Sequence, residues 1–210
     1  MKERSPVVFI VDDDEAVRSS LRLLLKSVGL VPAALGSAGE FLDKYDPAQP
    51  GCLVLDVRMP KISGLELQEK LNLQGAVIPV IFITGHGDVP MAVEAMQAGA
   101  FDFLQKPFRD QDLIDRIQRA LERDSTNRAA LNERSLIRER LDSLTPRERE
   151  VLALVTSGKP NKIMAADLGV SQRTVEIHRA RVMEKMGASS LAQLVRMIMN
   201  HGEHAAAPQA

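Results

Sequence analysis

The chain has 210 residues, 45% of them hydrophobic, which is enough for one medium domain or two small ones. Its single cysteine, Cys52, excludes a disulfide scaffold and a cysteine-rich zinc module and is typical of a reducing cytoplasm. Aromatic residues make up 3%, with no Trp, which argues against an aromatic platform for carbohydrate or single-stranded nucleic acid. No apolar run reaches the roughly 18 residues of a membrane helix, and Val7–Val11 is too short for the core of a signal peptide, so we expect a cytoplasmic location.

The charges are distributed unevenly along the chain. Residues 1–122 hold 13 Lys and Arg against 18 Asp and Glu, whereas residues 143–210 hold 9 against 6. Residues 123–142, between these segments, hold 5 against 4. An acidic first part and a mildly basic last part suggest two modules with different partners, although an excess of this size in the last part also arises by chance.

Five short apolar segments in the first half of the chain predict strands. They do not alternate between apolar and polar residues, which is typical of strands buried on both faces of a parallel sheet. The second and fifth are the weaker signals. The predicted strands are Val7–Val11, Val31–Leu35, Cys52–Leu55, Val80–Ile83 and Phe101–Leu104.

Helical patterns alternate with these strands. Ser37 and Glu40 form a capping-box pattern at the start of the second helix, and Gly29 and Gly99 are placed to end the first and the fourth. Five strands alternating with five helices in about 120 residues predict a doubly wound, flavodoxin-like α/β domain with a five-stranded parallel sheet. The apolar faces expected for the first, third, fourth and fifth helices are Val17, Leu21, Leu24, Leu25 and Val28; Leu65, Leu67 and Leu71; Val93 and Met96; and Leu113, Ile114, Ile117 and Leu121.

From residue 124 onward the sequence indicates only helices. Residues 124–142 are rich in Arg and Glu, contain neither Gly nor Pro and predict a helical linker, with a disordered charged tether as the alternative. The segment Thr145–Glu148 is a strong N-terminal signal for the next helix. A short helix at about 161–167, a tight turn and a longer helix capped by Ser171 form an all-α helix-turn-helix pattern. A last helix ends near residue 200, and residues 201–210 are expected to be a disordered tail.

Acidic residues follow two of the predicted strands. Asp12 and Asp13 come after the first strand and Asp56 after the third, while Thr84 and Lys106 follow the fourth and fifth. Because ligands of open α/β sheets bind beyond the carboxyl ends of the strands, these side chains are expected to share one crevice. Three converging carboxylates need a cation, and oxygen ligands without His or Cys favour a hard ion such as Mg²⁺. A hydroxyl and an ammonium opposite the metal suit a phosphoryl group.

Residues 6–122 resemble the receiver domain of two-component response regulators. The segment Gly85–Met96 is similar to the FixJ subfamily in particular. We expect His86, on the loop within this segment, to have a structural role and not a catalytic one. Asp14 is expected to cap the first helix. The residues that carry the receiver resemblance are Asp12, Asp13, Asp56, Gly64, Thr84, Lys106 and Pro107.

The resemblance implies a role for each residue of the crevice. It implies that Asp56 is the phosphoacceptor, and that Mg²⁺ is held by Asp13, Asp56 and the backbone carbonyl of Arg58, with Asp12 as an outer acidic partner. The remaining implied roles are a hydrogen bond from Thr84 to a phosphoryl oxygen, an ion pair of Lys106 with the phosphoryl group and an aromatic switch at Phe103.

Residues 144–199 resemble the LuxR-type helix-turn-helix domain in its FixJ-like form. The resemblance is carried by Leu144–Leu152, Gly158, Asn161, Lys162, Ala165, Leu168, Gly169 and Arg173–Arg179. Lys159 departs from the family pattern, which usually has an apolar residue there. It is expected either to fray the start of the short helix or to add a phosphate contact.

The second helix of this motif is expected to enter the major groove of double-stranded operator DNA. Helical phase predicts that Val175, Val182 and Met186 lie in the core. The residues expected to contact base edges are Arg173, Thr174, Glu176 and Ile177, and those expected to contact phosphates are Lys162, Ser171, Arg179 and Arg181.

These features predict a response regulator that a sensor histidine kinase phosphorylates on an Asp. It is not a metabolic enzyme, although its receiver domain assists its own Mg²⁺-dependent phosphorylation and dephosphorylation. Phosphorylation is expected to switch homodimerisation and DNA binding, with RNA polymerase as a further partner. The predicted dimer face, on residues 89–98 and 101–104, contains Met91, Val93, Met96 and Phe101.

Three alternatives stay open. Aspartyl-phosphate hydrolases also use an Asp after a strand, but their second Asp is replaced here by Arg58. The first domain could act as an interaction module without phosphate, or phosphorylation could relieve an inhibitory contact between the domains.

The predicted boundaries are 1–123 for the receiver domain, 124–142 for the linker, 143–200 for the DNA-binding domain and 201–210 for the tail.

Overall fold

The structure is a computed structural model that describes residues 4–85 and 89–205. It divides into two compact units, Met1–Ala129 and Ala130–Ala210. Within the described ranges, no helix is both long enough and apolar enough to cross a membrane. His86 and the tail residues 206–210 lie outside the described residues, as do residues 1–3.

The first unit alternates strands with helices, as the sequence predicts. Its strands form one parallel sheet in the order β2-β1-β3-β4-β5. The strands are β1 (Val7–Val11), β2 (Val31–Leu35), β3 (Gly51–Asp56), β4 (Val80–Thr84) and β5 (Asp102–Gln105). The helices are α1 (Glu15–Ser27), α2 (Ala38–Lys44), α3 (Gly64–Leu73), α4 (Val89–Gln97) and α5 (Asp110–Asp142).

Each face of the sheet carries its own apolar core, because successive side chains of a strand point to opposite faces. On one face, Phe9 and Phe82 pack with Phe41 of α2 and Leu67 of α3. On the other face, the buried residues include Val8, Ile10, Val54, Ile81 and Ile83 from the strands, with Leu21 and Leu25 of α1 and Leu113 and Ile117 of α5. The two cores confirm the prediction of strands buried on both faces and a doubly wound fold.

Helix α5 is continuous through the boundary predicted between the receiver domain and the helical linker at residue 124. Asp124, on this helix, accepts hydrogen bonds from the Gly51 N–H at 2.8 Å and from Arg128 Nε at 2.7 Å. Arg128 also donates to the carbonyls of Pro47 and Gln49. These bonds attach residues 124–128 to the first unit, so its boundary at Ala129 lies six residues beyond the predicted one.

The second unit contains only helices in its described part. Beyond the end of α5 they are α6 (Pro146–Thr156), α7 (Asn161–Leu168), α8 (Gln172–Met186) and α9 (Leu191–Ala205). Helix α6 starts where the sequence predicts, with a capping box formed by Thr145 and Glu148, and Glu148 also accepts a hydrogen bond from Lys185 Nζ at 2.6 Å. Its core includes Ile137 of α5, Leu152, Met164 and Leu194, together with the predicted stripe Val175, Val182 and Met186, each fully buried.

Three local expectations are wrong. Val28 is 44% exposed because α1 ends at Ser27 and Val28 is its C-cap residue. Glu40 does not complete a capping box: Ser37 accepts from the Glu40 N–H, but the Glu40 carboxylate accepts from the N–H of Gly36 instead. Helix α9 continues through Ala205, so residues 201–205 are helical and not part of a disordered tail.

Candidate functional site

The parallel strands bring the predicted crevice residues to one edge of the sheet. Asp12 follows β1, Asp56 ends β3, Thr84 ends β4 and Lys106 follows β5. Register pairs Asp56 with Ile83 and Thr84 with Gln105, and the Lys106 N–H donates to the Thr84 carbonyl at 2.8 Å. Asp12, Asp56 and Thr84 are buried, at 1%, 8% and 1% exposure.

Lys106 joins two carboxylates of this crevice. Its Nζ donates to Asp12 Oδ2 at 2.8 Å and to Asp56 Oδ1 at 3.1 Å. Burial pulls the pKa of Lys106 down, but the hydrogen bonds and the charges of the two carboxylates outweigh burial, and the net shift is upward. Lys106 therefore keeps its positive charge at neutral pH between the two acids.

The Asp56 carboxylate lies in a desolvated environment. Its burial raises the pKa of this carboxyl, while hydrogen bonds from Lys106 and from the Arg58 N–H, at 2.8 Å to Oδ2, act in the opposite direction. The net shift is upward, so additional positive charge beside Asp56 would stabilise its ionised form. An ionised carboxylate held in a fixed position is a candidate nucleophile.

Asp13 and Asp14 differ from Asp12 in their surroundings. Asp14 is the N-cap of α1, as predicted, and accepts hydrogen bonds from the N–H groups of Ala16 and Val17. Asp13 is exposed beside the crevice. In the described part of the chain, Asp13 makes no hydrogen bond or ion pair, and no three Asp, Glu, His or Cys side chains are spaced to hold a metal. Both Asp12 oxygens accept hydrogen bonds, Oδ1 from the Asp14 N–H at 2.9 Å and Oδ2 from Lys106 Nζ at 2.8 Å.

Gly64 allows α3 to start directly against β3. A Cβ at this position would lie 2.3 Å from the Asp56 carbonyl oxygen and 3.0 Å from Cε1 of Phe82. The Gly64 N–H donates to the Val57 carbonyl at 2.9 Å. The absence of a side chain at Gly64 therefore lets α3 support the backbone of the candidate nucleophile.

The predicted switch and dimer residues lie on β5 and α4. Phe103 is half-buried, with its ring centroid 6.5 Å from that of Phe82. Of the predicted dimer face, Met91 and Phe101 are half-buried against the cores, whereas Val93 and Met96 are 47% and 45% exposed. The exposed apolar surface is therefore concentrated on α4, where Val93 and Met96 line a shallow depression with Ala92 and Gln97.

The candidate nucleic-acid interface is the exposed side of α7 and α8. Gly169, at φ +64°, ends α7 in the left-handed conformation and so forms the tight turn before α8. Ile177 is 48% exposed on a helix whose opposite stripe is fully buried. Of the residues expected to contact DNA, Lys162, Ser171, Arg173, Glu176, Ile177 and Arg181 are exposed, and Thr174 and Arg179 are half-buried.

Three of these polar side chains are also engaged within the domain. Ser171 is the N-cap of α8, and its Oγ lies 2.8 Å from the Thr174 hydroxyl. Arg179 Nη1 donates to Asn161 Oδ1 at 3.0 Å, which ties α8 to the start of α7. Lys159 forms an ion pair with Asp167 at 2.7 Å, and α7 nevertheless begins at Asn161.

Sequence reasoning missed Arg18 of α1, which hydrogen-bonds to the loop that carries the acidic residues of the crevice. Its Nη1 donates to the Asp12 carbonyl at 2.7 Å. No known motif pairs an arginine in a helix with a backbone carbonyl six residues earlier. The only available signal is the amphipathic pattern of α1, which indicates the side of the helix on which Arg18 lies.

Comparisons with known proteins agree with the division into two units. A family model described as the response regulator receiver domain matches residues 8–118, and one for bacterial regulatory proteins of the luxR family matches residues 142–198. The transcriptional regulatory protein FixJ of Azorhizobium caulinodans is 50% identical over 202 residues, which cover 96% of this chain and 95% of that protein. Nodulation protein W of Bradyrhizobium diazoefficiens is 50% identical over 191 residues, covering 91% of this chain and 84% of that protein.

Solved structures show the same relationship. The response regulator StyR aligns with a TM-score of 0.86 at 46% identity, covering 93% of this chain and 98% of that chain. Full-length FixJ from B. japonicum aligns with a TM-score of 0.58 at 41% identity, covering 96% and 99%. With both domains matched and half of all positions identical to FixJ over nearly the whole length, the chain belongs to the FixJ-type two-component response regulators, which regulate transcription through a receiver domain and a LuxR-type DNA-binding domain.

Proposed function

We propose that Asp56 is the phosphoacceptor of this regulator. The observation that carries the proposal is the pair of hydrogen bonds from Lys106 to Asp12 and Asp56 at the carboxyl edge of the sheet. An Asp56 oxygen attacks the phosphorus of the donor, the bond from phosphorus to the donor breaks, and an acyl phosphate forms. Lys106 and the Thr84 hydroxyl then stabilise the phosphoryl oxygens, by an ion pair and by a hydrogen bond.

The residues present fit a magnesium ion. Mg²⁺ binds proteins through one or two carboxylates, keeps several waters and accepts phosphate oxygens as ligands. Asp13 offers an exposed carboxylate, Asp56 a partly desolvated one, and Arg58 a backbone carbonyl on the adjoining loop. When bound, Mg²⁺ supplies positive charge that offsets the phosphoryl oxygens. Asp12 acts from outside this set, because it holds Lys106.

Phosphorylation with acetyl phosphate tests the assignment of Asp56. The D56N variant keeps the size of the side chain and removes the nucleophile, so it should form no acyl phosphate in the presence of Mg²⁺. The matched control is D46N, because Asp46 is an exposed acid of the same unit that pairs with Arg4 outside the crevice. Uptake of one phosphate per chain by D56N would disprove the assignment.

We propose further that phosphorylation produces a homodimer through the α4–β5 surface. Thr84 ends β4, and Phe103 lies on the neighbouring strand β5, which contacts α4. A shift of both residues toward the phosphoryl group therefore changes the packing of Met91 and Phe101. Val93 and Met96 already provide exposed apolar area on this surface. A dimer presents two DNA-binding domains to two half-sites about one helical turn apart and gains affinity through effective concentration.

The DNA-binding domain is proposed to read bases with the N-terminal half of α8. Arg173, Glu176 and Ile177 are exposed there and point away from the buried stripe. Lys162, Ser171 and Arg181 are proposed to contact phosphates, whereas Arg179 must leave or share its hydrogen bond with Asn161 to do so. RNA polymerase, as the machinery that a bound regulator acts on, is part of the same proposal.

Two variants separate dimerisation from base reading. V93D puts a charge on the exposed face of α4 and should leave Asp56 phosphorylation normal while it blocks the dimer and tight operator binding. I177A should spare the dimer and alter base preference. Sedimentation with and without acetyl phosphate, followed by binding to operator DNA, distinguishes the two outcomes. A phosphorylated wild-type protein that stays monomeric at micromolar concentration, even on DNA, would favour relief of an inhibitory domain contact instead.

A further inference from the structure

Helix α1 contributes a cation to the loop that carries the acidic residues. Arg18 Nη1 donates to the Asp12 carbonyl at 2.7 Å. The same guanidinium covers Gly36, where a Cβ would lie 3.7 Å from Cζ and Nη1 and 3.8 Å from Nη2. Arg18 therefore joins the loop after β1 to the loop after β2 at the carboxyl edge of the sheet.

The contact fixes the backbone on which Asp13 stands. The Asp12 carbonyl belongs to the peptide group that connects Asp12 to Asp13, so a bond to this oxygen orients the peptide plane of both residues. The Asp12 side chain is already held by Lys106 and by the Asp14 N–H. In the described ranges, Asp13 itself makes no polar contact that would place it, so its position depends on the backbone.

We propose that Arg18 is a positioning residue for Mg²⁺ binding: it holds the Asp12–Asp13 backbone so that the Asp13 carboxylate stays at the metal. The inference rests on the proposed role of Asp13 and Asp56. Arginine suits the position because its planar guanidinium lies over Gly36 while one nitrogen donates to the carbonyl. Glu40, which accepts from the Gly36 N–H at 2.8 Å, adds a carboxylate to this cluster and offsets part of the Arg18 charge.

Two effects of Arg18 on the metal have opposite signs. As a positive charge near a divalent cation, Arg18 repels the metal, so its removal alone would tighten Mg²⁺ binding. As a positioning group, Arg18 raises the fraction of molecules in which the loop is ready to bind Mg²⁺. Removal of Arg18 lowers this fraction, and the apparent Mg²⁺ affinity falls by the same factor. The direction of the change in R18Q therefore decides between charge and positioning.

The test is a magnesium chloride titration followed by the amide resonances of the ¹⁵N-labelled full chain. We expect R18Q to raise the Mg²⁺ dissociation constant by about three- to tenfold, since it loses a hydrogen bond from a charged donor. R18K keeps the charge without the planar contact and should lie between R18Q and wild type. The control is R22Q, which removes the same charge from an exposed residue of the same helix and should stay within about twofold of wild type.

Phosphorylation kinetics give a second readout. With acetyl phosphate, R18Q should be slow at low Mg²⁺ and recover the wild-type rate when Mg²⁺ is saturating, because its defect is in metal binding and not in the nucleophile. Mg²⁺ affinity in R18Q equal to or tighter than in R22Q would overturn the inference while the proposed function stands. If R18Q does not fold, the same comparison of R18K with R22Q decides. Wild-type protein without Mg²⁺ binding would overturn the proposed function and this inference together.

Discussion

Replacing Gly64 with Ala tests how α3 supports the candidate nucleophile. The added Cβ would lie 2.3 Å from the Asp56 carbonyl oxygen and 3.0 Å from Phe82, whereas non-bonded heavy atoms are most favourable at about 3.5 Å or more. Asp56 and Phe82 are both buried, and close packing leaves them no free space into which to move. Helix α3 or the end of β3 must therefore shift by about 1 Å. Overpacking of this kind costs about 1–3 kcal/mol of folding free energy.

The same displacement affects the chemistry. Asp56 accepts from Lys106 Nζ at 3.1 Å, so a shift of about 1 Å breaks this hydrogen bond or misaligns the nucleophile. Misplacement by this distance reduces the rate of a positioned reaction by about 100-fold. We therefore expect G64A to accept phosphate from acetyl phosphate at about one-hundredth of the wild-type rate.

Stability of the first unit can be followed in the full chain. The sequence contains one tyrosine and no tryptophan, and Tyr45 packs against Phe9 and Phe41, so its fluorescence during urea unfolding reports on this unit alone. The control is G39A, because a Cβ at Gly39 lies 3.9 Å from its nearest neighbour and Ala favours a helix by about 0.5–1 kcal/mol. Wild-type stability and rate in G64A would refute the argument.

Three further predictions follow from other contacts. D13A should weaken Mg²⁺ binding sharply in calorimetric titration, while the melting temperature without metal holds or rises because carboxylate repulsion falls; unchanged affinity would contradict this. In E148Q, loss of the ion pair with Lys185 should destabilise the second unit by about 1–3 kcal/mol in hydrogen exchange of α6 and α8 at pH 7. The hydrogen bond from Lys185 lowers the pKa of Glu148 from 4.5 to about 2, so its stabilisation is present above pH 4.5 and is lost as the pH falls toward about 2, and E148Q should lack this part of the pH dependence. D124N leaves Arg128 without its charged partner and should destabilise the first unit by about 3 kcal/mol in the Tyr45 assay; wild-type stability would show that the acceptor, not the charge, matters.

The order of the elements could be predicted because each has a local cause. Runs of apolar residues buried on both faces identify the strands of a parallel sheet, and Asp14, Ser37, Ser63 and Thr145 are the N-caps of their helices in the structure. The positions of the acids also follow, since a residue after a parallel strand lies at the carboxyl edge wherever that strand sits in the sheet.

Errors occur where a side chain has a choice between partners. Glu40 has the right spacing to complete a capping box, but the N–H of Gly36 is also within its reach and receives the bond. The segment 124–128 looks polar enough to begin a linker, yet Asp124 accepts from the first residue of β3 and Arg128 donates to the loop before it, so both residues belong to the first unit. In both cases several arrangements satisfy the local propensity, and only the hydrogen bonds of the folded chain show which one forms.

By itself, the sequence determined that the chain has a doubly wound domain followed by helices, that acids, a hydroxyl and a lysine share one sheet edge, and which stripe of α8 is buried, because periodicity and strand ends are local properties. Only the tertiary structure decided that Lys106 bridges Asp12 and Asp56, that Gly64 touches the Asp56 backbone and that Arg18 reaches the Asp12 carbonyl. Each of these contact distances depends, to a few tenths of an ångström, on how the helices pack against the sheet. The spacing of residues along the sequence does not determine such distances.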